Sequence, residues 1–140
     1  MNINIKMFLA MAMPVVAIVL MSFGHLAYQD TRLTESIKRG SEIYVSNCIT
    51  CHMDNGEGIP GAFPPLAKSD FLLTKTDESI NTILNGARGE MVVNGVSYYG
   101  EMAAIDLSDE EVADVMNYIR NTWGNTAAGI TPEQVKKLRN

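Results

Sequence analysis

The cysteines Cys48 and Cys51 stand with two residues between them, His52 follows directly, and the 140-residue chain has no other cysteine. Whatever this short run holds must become the object around which the rest of the chain packs. A disulfide across two intervening residues would close a loop too small to stabilise much, since the effect grows with loop length. A structural zinc site wants four ligands, and Cys48, Cys51 and His52 could be joined only by His25. A thioredoxin-like pair opens a helix after a strand, whereas a helical pattern precedes this one. The remaining reading is the attachment run of a c-type haem. The thiols of Cys48 and Cys51 add across the two vinyl groups, and His52 is held beneath the ring as the proximal iron ligand.

The N-terminus has a different character. Lys6 is followed by an uncharged stretch from Met7 through Gly24, and the first acidic residue is Asp30. A basic start and an apolar run make residues 1–24 an export leader. Ser22 and Gly24 offer a small-x-small cleavage site. The run is near the minimum for a bilayer span and Pro14 interrupts it, so the alternatives are cleavage and retention as a membrane anchor. Either one delivers residues 25–140 to a periplasmic or other extracytoplasmic space. About 115 residues then remain, enough for one core and too few for two.

The net charge is −5, and removal of Lys6 with the leader leaves −6. Phosphate backbones are bound by clustered Lys and Arg, which this chain lacks, so nucleic acid is excluded as a partner. An acidic surface is steered toward a positively charged docking patch on another protein.

Periodicity places the elements. Ile37, Ile43, Tyr44 and Val45 suggest a helix from Ser36 into Cys48. Met53–Ala67 contains three glycines and three prolines and reads as a loop on the edge of the ring. A short helix starts at Thr76, with Ile80, Ile83 and Leu84 on one face and Gly86 as its stop. Asn94-Gly95 between β-branched residues predicts a small hairpin. Ser108 and Glu111 form a capping box for a last core helix with Val112, Val115, Met116, Ile119 and Trp123 on one face and Gly124 at its end. Thr131-Pro132 opens a further short helix. The fold class is therefore all-α, with helices wrapped around the haem and a small hairpin.

A second axial ligand must come from elsewhere, and no histidine remains in the core, which leaves Met53, Met91, Met102 and Met116. Met53 adjoins the proximal histidine and cannot easily reach the other face of the ring. Met116 belongs to an apolar helical stripe, the usual pattern of core packing. Met91 and Met102 both stay open.

The run Cys48-Ile49-Thr50-Cys51-His52, the Gly56–Leu66 loop, Tyr99-Gly100-Glu101-Met102 and the Leu107–Trp123 segment together resemble the class I cytochromes c, and within them the bacterial mono-haem domains. The likeness covers about residues 36–125, which it makes the core of a 25–140 mono-haem domain. It implies one covalent haem c per chain, with His52 and Met102 as axial ligands. It also implies that a loop proline gives its carbonyl to the proximal imidazole. Pro64 matches because Leu66 follows two positions later; Pro65 is the alternative, and both Pro64 and Leu66 belong to the haem surroundings. Gly40 and Trp123 would mark the crossing of the first and last helices. One departure stands out: many relatives read Met-Pro-Ala where this chain has Met102-Ala103-Ala104, which leaves the ligand loop without a proline restraint.

The resemblance implies electron transfer with redox protein partners, as a free or tethered shuttle or as a cytochrome subunit of an oxidase, reductase or dehydrogenase system. The competing class, a haem enzyme or gas sensor, needs a distal acid–base group, and no histidine other than His52 lies beyond the leader-adjacent His25.

Overall fold

The computed structural model describes residues 31–139. Of these, the residues from Glu35 onward belong to one compact unit. The expected leader lies outside the described residues, and among those that are described no helix is long and apolar enough to cross a membrane.

Residues 31–47 are helical and form α1. Cys48 interrupts it, and one further turn, α2 (Ile49–His52), follows. The break is small: Cys48 N–H still donates to Tyr44 O at 2.9 Å and His52 N–H to Cys48 O at 3.0 Å. After the loop come α3 (Asp70–Thr74) and α4 (Thr76–Asn85). The antiparallel strands β1 (Met91–Val93) and β2 (Val96–Tyr98) are followed by α5 (Asp109–Ile119) and α6 (Pro132–Leu138).

Local chemistry accounts for most boundaries. Helix α4 stops at Gly86, whose φ of 76° suits a residue without Cβ. The hairpin turns through Asn94 and Gly95, both at positive φ, as a tight hairpin turn requires. At the start of α5, Ser108 Oγ accepts from Glu111 N–H, and the Glu111 carboxylate accepts from Ser108 N–H at 2.8 Å. Gln134 Oε1 accepts from Thr131 N–H at 2.8 Å at the start of α6. Helix α3 carries no periodic apolar pattern long enough to announce itself; Ser69 caps it through Leu72 N–H.

Helix α5 is the spine of the core. Val112, Val115, Met116 and Ile119 are buried against Tyr44, Leu72, Ile80 and Ile83, each contributing about 1.5–3 kcal/mol of apolar burial. The other face of α5 is also covered. A Cβ on Gly40 would collide with the carbonyl of Asp114, so glycine lets α1 approach the backbone of α5 directly. Asp114, 4% exposed, accepts from Ser36 Oγ and twice from the Arg39 guanidinium. Asn117 bonds Ser36 Oγ and both backbone groups of Ile130.

Two features differ from the pattern-based expectation. Helix α5 ends at Ile119 with Arg120 as its cap, and Trp123 lies beyond it in a turn at φ 52°. Trp123 therefore packs on the loop, where a Cβ at Gly56 would stand 2.5 Å from its ring. Its ring meets Tyr44 at a tilt and Tyr118 edge-on, at centroid distances of 5.0 and 5.3 Å. The core also continues past residue 125, because Ile130 and Val135 are buried within it.

Candidate haem site

Positions i, i+3 and i+4 share a helix face. At the junction of α1 and α2 this rule sends Cys48, Cys51 and His52 into one cavity of about 750 Å³. Its walls are largely apolar and include Leu66, Leu72, Ile83, Val93, Ile105 and Ile119. A large planar group with an apolar body and a few fixed polar attachments suits such a space. Burial, and then the neighbouring Cys51, push the Cys48 thiol up to about 11. That is opposite to the shift that makes a redox or metal-binding thiolate. Among the described residues no group of three or more His, Cys, Asp and Glu is placed to hold a metal ion.

His52 Nδ1 lies 3.0 Å from the carbonyl oxygen of Pro64. A carbonyl can only accept, so Nδ1 carries the proton and Nε2 presents its lone pair. Burial holds the His52 pKa below its ordinary value, with the Pro64 bond opposing, and the imidazole is accordingly a neutral donor. Pro65 also lines the cavity, but its carbonyl is not the one bonded.

The loop aims that carbonyl. Gly56 O accepts from Leu66 N–H at 2.7 Å and Ala67 N–H at 2.9 Å, closing the loop at its base. Gly58 N–H donates to His52 O at 3.0 Å, and Ile59 and Phe63 pair across a one-residue bridge. Gly58, at φ 64°, lies so near Phe63 O and Pro64 O that a Cβ would meet both. Asn125, buried beyond α5, fastens the far end by accepting from Lys68 N–H and donating to Leu66 O. The motif reading singled out neither Gly58 as a steric requirement nor Asn125; the Gly-Glu-Gly spacing was the available signal for the first.

Of the four methionines, Met91, Met102 and Met116 line the cavity. Met53 is instead the C-cap of α2 at φ 65°, and its carbonyl accepts from Tyr44 Oη at 2.6 Å. Met116 is fully buried in the α5 stripe, and Met91 opens β1. Met102 exchanges two 2.9 Å backbone hydrogen bonds with Ala87. Ile105 N–H donates to Ile83 O at 3.0 Å, and Gly86 abuts Met102 O and Ala104 N closely. The missing proline after Met102 thus does not leave this segment slack: its backbone is pinned to the end of α4.

The family model for cytochrome c matches residues 37–123. The chain belongs to the cytochrome c family. Membership gives it a covalently attached haem c, with Cys48 and Cys51 in the attachment run, and gives it haem-based electron transfer with redox proteins as partners. Cytochrome c-552 of Thermus thermophilus is 42% identical over 110 residues, covering 71% of this chain and 83% of the relative. The cytochrome c subunit of the quinone alcohol dehydrogenase of Gluconobacter oxydans is 34% identical over 110 residues, 71% of this chain but 22% of that subunit. The gluconate 2-dehydrogenase cytochrome c subunit of Pantoea cypripedii is 34% identical over 123 residues, 79% of this chain and 27% of the relative.

Proposed function

We propose that the chain is an extracytoplasmic electron carrier, not itself catalytic, whose single haem is tethered through Cys48 and Cys51 and ligated by His52 and Met102. The observation that carries this reading is the bond from His52 to the Pro64 carbonyl inside a cavity that Met102 also lines. Bound there, the haem supplies a one-electron iron couple. The chain's own contribution is to hold both donors still. Pro64 fixes the tautomer and ring orientation of His52 and raises its basicity. The Ala87 bridge fixes the backbone of Met102. Apolar walls restrict water, so little rearrangement accompanies a change of oxidation state.

The leader supports export, with the domain either free or held by a retained residue 1–24 anchor, and mass spectrometry of the N-terminus separates the two. The partners are electron donors and acceptors of the dehydrogenase or oxidase kind, as the relatives' names suggest. Net negative charge favours positively charged docking patches on them.

The decisive experiment is Met102→Ala against Met91→Ala. The first abolishes the weak iron–sulfur absorption at the red end of the oxidised spectrum and admits carbon monoxide to the ferrous iron; the second does neither. The reverse result transfers ligation to Met91.

A further inference from the structure

Arg120, the cap of α5, is 6% exposed, yet its guanidinium meets no carboxylate among the described residues. Nη1 donates to Leu72 O at 2.5 Å and to Thr76 Oγ1 at 2.9 Å, both neutral acceptors, and Nε has no partner there. A buried cation is normally paired, because its desolvation is otherwise uncompensated. The chain had the means to pair this one. Thr76 begins a helix, where a carboxylate is favoured, and Asp77 and Glu78 are its neighbours.

The surroundings indicate which group is affected. Arg120 follows Ile119 directly and is hydrogen-bonded to Leu72, and both of these residues line the haem cavity. Positive charge beside a low-dielectric space acts on whatever charge that space contains. Reduction lowers the charge of a bound haem by one unit, so a fixed cation nearby favours the reduced state.

We infer that Arg120 is a built-in charge that raises the reduction potential of the haem, its missing carboxylate partner being the condition for that effect. The inference needs a haem in this cavity but does not depend on which methionine ligates it. It is a tuning role: Arg120 does not line the cavity. Being buried, the effect persists at high salt, unlike that of surface charges.

The test is spectropotentiometry of the holoprotein at low and high salt, with the red-edge iron–sulfur absorption followed in the same samples. Arg120→Met removes the charge at similar length and lowers the potential, whereas Arg120→Lys keeps the charge and holds the potential near that of the parent despite a lower Tm. Thr76→Asp leaves Arg120 in place and sets a carboxylate against it at a helix start that accepts one, so it also lowers the potential. This variant decides the matter if Arg120→Met does not fold. Parental potentials in Thr76→Asp and in any folded Arg120→Met make the guanidinium a brace between α5 and the α3–α4 junction, and overturn the inference. A fall accompanied by loss of the iron–sulfur absorption overturns it too, since the change then belongs to the ligand set. Failure of the Met102 assignment has a separate signature, because it appears in Met102→Ala with Arg120 intact.

Discussion

Replacing Gly58 by alanine tests how the loop positions His52, the proposed proximal ligand, and Gly61 provides the internal control. Both glycines have positive φ, 64° and 76°. Alanine in that region costs about 1 kcal/mol or slightly more at either position. They differ in surroundings. A Cβ at Gly61 meets nothing within 4 Å, whereas one at Gly58 stands 2.7 Å from Pro64 O and nearer still to Phe63 O. Relief requires the Pro64 carbonyl to move, and that carbonyl accepts from His52 Nδ1 at 3.0 Å. A weakened hydrogen bond plus local overpacking adds about 1–3 kcal/mol. Gly61→Ala is therefore expected to cost about 1 kcal/mol and Gly58→Ala about 2–4 kcal/mol, with about 4–8 °C of Tm per kcal/mol for a domain of this size. Thermal or denaturant unfolding of the holoprotein, followed by haem absorbance, reads both. Gly58→Ala also raises the reduction potential, because an imidazole that loses its acceptor is a less basic ligand. Equal losses in the two variants with an unchanged potential would refute the steering role assigned to this loop.

Gly40→Ala drives a Cβ into the Asp114 carbonyl and is expected to lower stability by about 2–3 kcal/mol, read by denaturant unfolding; a neutral result would mean that α1 and α5 can separate at no cost. Arg139→Gln removes the contacts of Arg139 with Asp109 at 2.6 Å and Leu107 O at 2.7 Å. Because the ion pair is partly exposed, the expected loss is about 1 kcal/mol, measured as a Tm shift. Hydrogen bonds from the Ser108 side chain and backbone hold Glu111 below its ordinary value of 4.5. The cap's contribution is therefore complete above that pH and disappears as pH falls through the lower folded value. Glu111→Gln should flatten this part of the acid-denaturation profile, and an unchanged slope would show that the box contributes nothing.

Several features were legible because a few neighbouring residues settle them. Spacing alone puts Cys48, Cys51 and His52 on one helix face, the Ser108–Glu111 box sets the start of α5, and Asn94-Gly95 sets the hairpin turn. Asp114 and Asn117 show the limit. In sequence they sit on what looks like the solvated face of an amphipathic helix, and only the crossing of α1 at Gly40 and the return of the chain at Ile130 bury them. Trp123 misled in the opposite direction, since its spacing continues the apolar stripe although the helix has ended at Ile119.

The sequence by itself determined the cofactor run, named His52 as the proposed proximal ligand and narrowed the other ligand to two methionines, since each depends on residue identity at short range. The tertiary structure decided which proline carbonyl reaches His52, because Pro64 and Pro65 differ only in the direction the loop gives them. It also decided that Ala87 restrains Met102 without a following proline. Only the folded chain buries the Arg120 guanidinium against neutral acceptors, with no carboxylate beside it among the described residues. Each of these outcomes depends on where a distant backbone group comes to lie, and no local pattern of side chains encodes that.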